Sequence, residues 1–290
     1  GANMTTGNYN VAIGLNAADG LVAGAHQNIA IGKDALGGCT VATQTNIAIG
    51  AGTLQNASYG VSAVNLAIGI NAGTAITSGT RNVLIGHEAG SAITSDSMNN
   101  NTAVGYNALK LAESAHNTAI GSYAMPLAIA GGSNVAVGLN TMFLAALDMS
   151  ANTAVGVNAL YAINHGDSDH NTALGYDAGR YHETTPTSMG TTDGNNTEGK
   201  QSVFIGSGTK SAETDRENEI VIGYNAVSNG SNTVTLGNTS IAAIHCQDTS
   251  IAAPSDKRVK RDVAGSAVGL DFVEKLAAIS YKRINPADFP

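Results

Sequence analysis

The chain has 290 residues, of which 12% are charged and 4% aromatic, with 35 Gly and no Trp, whereas an ordinary globular domain carries about 25% charged residues. So few large side chains exclude a thick core, and so many small ones let backbone pack on backbone, the recipe for an elongated, thin-cored protein. A net charge of −8 argues against a nucleic-acid partner, which needs clustered Lys and Arg, and against membrane insertion stands the lack of any run near the roughly 20 apolar residues of a spanning helix.

Gly1-Ala2-Asn3-Met4 reads as a cut end without a signal peptide. A repeat then sets in and organises residues 1–237. The pattern Asn-x-Ala-(Ile/Val/Leu)-Gly opens as Asn10-Val11-Ala12-Ile13-Gly14 and returns as Asn28-Ile29-Ala30-Ile31-Gly32 and Asn46-Ile47-Ala48-Ile49-Gly50. Further copies end at Gly69, Gly86, Gly105, Gly121, Gly138, Gly156 and Gly175, and looser ones at Gly206, Gly223 and Gly237, which makes thirteen. A second, weaker element follows most of them, as in Tyr106-Asn107-Ala108-Leu109 and Val157-Asn158-Ala159-Leu160.

Each unit reads as a strand of about four residues, a glycine turn, a second short strand and a variable loop. Strand side chains alternate, so the second and fourth positions share a face, and the fourth is always aliphatic. The third position is usually Ala, which keeps the opposite face thin. Glycine at the fifth permits positive φ or close backbone approach, and the Asn suits a side-chain ladder or a tight turn at the strand entrance. No such unit buries its own apolar face, but parallel stacking does so for interior coils. Thirteen coils at about 4.8 Å each make a rod on the order of 60 Å long. One aliphatic or alanine-lined face stays uncovered, and association about a closed cyclic axis would bury it.

Asn-x-Ala-Ile-Gly followed by x-Asn-Ala-Leu resembles the head repeats of trimeric autotransporter adhesins, and resembles still more the longer-period version in bacteriophage tail fibres. The resemblance covers roughly residues 8–237. It implies a left-handed parallel β-roll packed as a homotrimer, and the number three rests on it rather than on the repeat.

One glycine interval, from Gly175 to Gly206, is 31 residues long and holds an insertion over 176–200. It contains Arg180, Tyr181 and His182, then a Thr/Gly/Asn-rich run with Asp193 and Asn195. A plain surface loop is one reading. The other is a receptor-contact loop, since such insertions project from one face of a solenoid. Just upstream, His165, Asp167, Asp169 and His170 crowd together. Polar loop composition accounts for them, and no metal site or cofactor is expected. Cys39 and Cys246 belong to no paired-cysteine motif and read as buried small hydrophobes. Gly206-Ser207-Gly208 is not a phosphate loop, because no Lys-Ser/Thr follows.

Beyond the repeat the character changes. Residues 1–254 hold seven Lys/Arg and seventeen Asp/Glu, whereas 255–290 hold seven and five. Residues 238–254 read as an extended β connector with Ile241, Ile244 and Ile251 among polar neighbours. Leu270, Val273, Leu276 and Ala277 are at helical spacing, and Ser280 to Arg283 reads as a strand, so a short α/β segment is expected there. Ser255-Asp256-Lys257-Arg258-Val259-Lys260 resembles the opening motif of the endosialidase-type intramolecular chaperones of phage tailspikes and fibres. That family's domain trimerises, guides folding and then cuts itself away. The resemblance makes Ser255 the nucleophile and Lys260 the general base, with the cut at Pro254–Ser255. The chemistry is coherent, because a serine hydroxyl needs an adjacent base and a desolvated lysine can serve. The family's domain is longer than residues 255–290, so this is a truncated start, and no turnover is expected of it.

These readings make the chain a structural, adhesive fibre tip rather than an enzyme. Its expected partners are two further copies of itself and a bacterial surface glycan or protein receptor, and its expected place is the virion tail. A trimeric adhesin on a bacterial cell surface is the alternative within the same architecture. A glycan depolymerase would need two carboxylates about 5–10 Å apart in a groove, and no acidic pair recurs along the coils. An ice-binding array is not expected either, since Thr102, Thr118, Thr153 and Thr172 share their column with Val11, Ile29, Ile47 and Leu66.

Overall fold

A computed structural model of the chain describes residues 6–39, 45–56, 64–92, 99–127, 131–145, 148–181 and 199–245. Every copy of the repeat folds as one three-residue strand. These are β1 (Val11–Ile13), β2 (Ile29–Ile31), β3 (Ile47–Ile49), β4 (Leu66–Ile68), β5 (Val83–Ile85), β6 (Thr102–Val104), β7 (Thr118–Ile120), β8 (Val135–Val137), β9 (Thr153–Val155), β10 (Thr172–Leu174), β11 (Val203–Ile205), β12 (Ile220–Ile222) and β13 (Val234–Leu236). All thirteen lie side by side in chain order in one parallel sheet. The chain is an all-β solenoid, and each coil contributes one strand. Equivalent residues pair, so Ala30 faces Ala48 and Ala48 faces Ala67. Even the long interval after β10 returns in register, with Thr172 opposite Val203.

The sheet's two faces differ. The middle residue of each strand from β2 to β12 points inward and is buried, and its two neighbours point outward. Small residues therefore line the interior and the aliphatic pairs lie outside. The interior is narrow because a second wall stands close behind the sheet. In most coils it is built by the fourth residue after the glycine, including Leu36, Leu54, Leu109, Met125, Met142 and Leu160, all essentially fully buried. Size is traded between the walls. Where a strand supplies Leu84 or Phe204 instead of Ala, the second wall of the preceding coil has Gly73 or Gly179. A Cβ on Gly73 would lie 2.9 Å from Leu84 Cδ1, and one on Gly179 would lie 2.9 Å from Phe204 Cδ2. Interiors this dense tolerate neither overfilling nor voids.

Two columns of residues fix the coil-to-coil approach. The repeat glycines from Gly14 to Gly223 have φ between +126° and +138°, a region closed to L side chains. A Cβ on Gly138 would sit 2.5 Å from the carbonyl oxygen of Gly156, so the position is restricted by space as well as by conformation. The asparagines form a ladder. The Oδ1 of each accepts the backbone N–H of the next, from Asn10 through Asn28, Asn46, Asn65, Asn82, Asn101, Asn117, Asn134 and Asn152 to Asn171. Ser202 continues it, donating its amide to Asn171 Oδ1 and accepting the Glu219 amide on Oγ. Both roles expected of the Asn are realised, because the residue before it turns the chain in the left-handed region, as Gln27 (φ 57°), Thr45 (61°) and His170 (60°) do.

The expected second strand is not formed among the described residues. Asn107 (φ 56°) and Leu109 (φ 49°) are left-handed, as are Asn158 (58°) and Leu160 (47°), and alternating handedness cannot make an extended strand. These segments still tie the coils together. The Asn107 amide donates to the His87 carbonyl at 3.0 Å and the Leu109 amide to the Ala124 carbonyl at 3.1 Å. Cys39 is buried, and burial pushes its thiol up to about 12, in keeping with a small hydrophobe. Cys246 lies outside the described residues. The compact unit of the solenoid ends at Ile241. Residues 238–245, the described part of the expected connector, carry no strand, and the Ile241 amide closes a turn on the Asn238 carbonyl at 3.1 Å. The rest of the connector and the expected α/β segment lie outside the described residues.

Candidate functional site

Two surfaces of the solenoid carry side chains that its own packing does not require. The first is the outward face of the sheet. Its 26 positions hold 22 Val, Ile or Leu and four Thr, with no charge among them. They are only partly covered; Ile120 is 40% exposed and Leu174 49%. In some coils the residue after the repeat glycine widens this stripe, with Leu15, Ile70, Leu139 and Tyr176 all exposed. A soluble monomer seldom shows more than a few hundred Å² of contiguous apolar surface. A stripe two residues wide, three in places, and about 60 Å long reaches or passes that limit.

The second surface is an aromatic row that crosses coils β5 to β10. His87 stacks on Tyr106 with ring centroids 5.2 Å apart, and Tyr106 meets Tyr123 edge-on at 5.2 Å. Tyr123 meets Phe143 edge-on at 5.9 Å, and Phe143 stacks on Tyr161 at 5.2 Å. The Arg180 guanidinium closes the row, lying 4.4 Å from the Tyr161 ring centre and 4.7 Å from that of Tyr181. Only the pairs His87–Tyr106 and Phe143–Tyr161 occupy equivalent positions, where coils one strand spacing apart bring side chains to about 4.8 Å, near the spacing aromatic pairs prefer. Polar groups brace the row. Arg180 pairs with Asp177 at 2.9 Å, and Asp177 also accepts from Asn158 Nδ2 at 2.9 Å. Lys110 pairs with Glu88 at 2.7 Å, and this hydrogen bond lowers the Glu88 carboxyl and raises the Lys110 ammonium from their ordinary values. A hydrogen bond with Tyr123 that favours the protonated form raises the Tyr106 phenol, and burial raises that of Tyr181. Two buried atoms beside these groups, Asn107 Oδ1 and Arg180 Nε, have no hydrogen-bond partner.

Of the residues singled out for receptor contact, Arg180 and Tyr181 thus stand at the end of the aromatic row, where the insertion leaves the solenoid. His182, Asp193 and Asn195 lie outside the described residues, as do Ser255 and Lys260. The row itself was not visible in the sequence, because its members sit at different offsets from their glycines.

The His165–His170 segment is a closed polar turn, with the Ser168 amide donating to the His165 carbonyl at 2.9 Å. It borders an open cleft of about 290 Å³ lined by Asp167, Asp169, His170, Lys200, Gln201 and Glu217. Two of the carboxylates lining it have partners: Asp167 lies 3.5 Å from Lys200, which is also 3.5 Å from Asp215, and Asp169 Oδ1 accepts the Ser150 amide. Burial works to lower the Lys200 pKa, but the two carboxylates outweigh it and hold the ammonium above its ordinary value. Among the described residues no three His, Cys, Asp or Glu converge as a metal-ligand set.

Set beside family models, curated proteins and solved structures, the chain has no match in any of the three.

Proposed function

We propose that the chain is a structural and adhesive fibre segment that works as a homotrimer, and that this fibre is a bacteriophage tail fibre binding a bacterial surface. The observation that carries the reading is the uncharged aliphatic face running the length of the sheet. A rod with one long apolar stripe is stable in water when that stripe is covered, and closed cyclic association covers all copies equally. Threefold symmetry is what the likeness of the repeat to adhesin heads and tail fibres implies. The motif at Ser255 to Lys260 supports the phage reading, and on it residues 255–290 begin a self-cleaving chaperone with Ser255 as nucleophile and Lys260 as base.

Native mass spectrometry and sedimentation of the full chain test the assembly, with three copies per particle expected. A second measurement places Asp on the sheet face, as Ile120→Asp, Val137→Asp and Val155→Asp together. Those side chains point away from the interior, so a trimer should dissociate while each coil keeps its fold. A stable wild-type monomer with unchanged behaviour in the triple variant would sink the reading. Denaturing gels of the wild type and Ser255→Ala report on cleavage, and adsorption to bacterial cells reports on adhesion.

A further inference from the structure

We infer that the row Tyr123, Phe143, Tyr161, Arg180 and Tyr181 is a binding ledge for a neutral glycan chain lying along the rod. This rests on the adhesive reading above and assigns it a place and a ligand class.

The solenoid does not need these rings. The column that presents Phe143, Tyr161 and Arg180, the fifth residue after the repeat glycine, holds Gln55, Thr74, Ser91 and Lys110 in earlier coils, and those coils keep the same strand register. Aromatic residues make up only 4% of the chain, yet four of them and an arginine gather in one unbroken row. Phe143, Tyr161, Arg180 and Tyr181 all remain partly accessible. The rings hold one another before any ligand arrives, so little rotamer freedom is lost on contact. Phenol groups at the ring edges offer hydrogen bonds. Rings with polar tips suit a ligand that is apolar on its C–H faces and hydroxylated at its rim, which describes a sugar. The row advances by about one strand spacing per ring, a step close to that of one hexose in an extended chain.

Charge selects among glycans. Arg180 is matched by Asp177 and Lys110 by Glu88, so the ledge has no spare cation for a carboxylate or phosphate. A neutral polymer fits it, and its binding should respond weakly to salt.

The test uses the full chain, wild type and Phe143→Ser/Tyr161→Thr, whose new residues already occupy this column in coils β4 and β5. Tyr224→Ser serves as a control on an exposed aromatic outside the row. Affinity electrophoresis through gels containing dextran, mannan or laminarin, with alginate as the acidic comparison, reads binding. At least one neutral polymer should retard the wild type and the control equally in low and high salt. The double variant should bind about tenfold more weakly or worse. Retardation by alginate alone, by none of the neutral polymers, or equally in the double variant overturns the inference, as does a changed oligomeric state in that variant. Cell adsorption separates this from the broader proposal. Wild type and double variant adsorbing equally defeats the ledge and leaves the fibre standing, whereas a wild type that adsorbs to no bacterial surface defeats adhesion itself. Loss of adsorption after protease treatment of the cells, with periodate treatment harmless, identifies a protein receptor and also overturns the glycan assignment.

Discussion

Removing one rung of the asparagine ladder should cost far more than an average polar-to-alanine change. Asn134 is buried. Its Oδ1 accepts the Asn152 amide at 2.9 Å, and its Nδ2 donates to the Met149 carbonyl at 2.8 Å and to Asn117 Oδ1 at 3.2 Å. Asn134→Ala orphans a buried backbone donor, worth about 1–3 kcal/mol, and deletes two donated hydrogen bonds worth roughly 1 kcal/mol each. The sum is about 3–5 kcal/mol, concentrated in coils β8 and β9. Asn134→Ser should recover about 2 kcal/mol of it, because Ser202 fills the same rung and accepts the next amide on Oγ at 3.1 Å. A stacked array need not unfold in one step, so native-state hydrogen exchange at the Asn152 amide and its neighbours is the suitable measurement. A loss below about 1 kcal/mol for the alanine variant, or a serine variant no better than alanine, would refute the idea that the ladder bonds hold the coils.

Three further outcomes are expected. Gly138→Ala, forced to φ +137° with its Cβ 2.5 Å from the Gly156 oxygen, should abolish cooperative folding or lower the melting temperature sharply, while Gly166→Ala, with nothing within 4 Å, should leave it unchanged. Burial raises the Glu219 carboxyl above its ordinary value, against hydrogen bonds from Ser228 and Ser211 and the charge of Arg216. Ionising it therefore penalises the folded state: its contribution to stability is complete below the ordinary carboxylate range and declines as pH rises through that range toward the raised value. Glu219→Gln should then melt higher than wild type at pH 8 and converge with it in acid, and a gap that widens on acidification would reverse the argument. Cys39, with its thiol raised to about 12, should resist iodoacetamide in the native protein and react after denaturation, as read by mass mapping of its peptide.

Much of this architecture was legible in the sequence because one motif sets register, turn and core at once. Asn10 to Gly14 and its copies fix which residues pair, since any slip would place a glycine against a strand residue. Which face turns inward was less evident, because Ala48 and Ile49 are both apolar. The deciding clue is the reciprocity between Leu84 and Gly73 and between Phe204 and Gly179, which only a shared narrow interior explains. The second segment of each unit forms no strand for a definite reason. Asn107 announces a left-handed residue, but Leu109 does not, and its backbone is set by the tertiary turn rather than by propensity. The aromatic row was illegible because Tyr106, Tyr123 and Phe143 follow their glycines at three different offsets, and only the stacking brings them into line.

The two exposed surfaces differ in a way that bears on what each is for. The aliphatic stripe is uniform, repeated with little change from β1 to β13, as an interface must be if copies are to meet along the full rod. Uniformity of that kind carries no address, since every coil offers the same contact. The aromatic row is local. It begins at His87 on one edge of the sheet, drifts across six coils and ends at Tyr181 beside the one large insertion. Selection for stable stacking alone would leave that column as it is in coils β3 to β6, polar and changeable. Its departure over β8 to β10 is where the rod acquires a distinguishable side, and a fibre that recognises anything has to do so where its coils stop being alike.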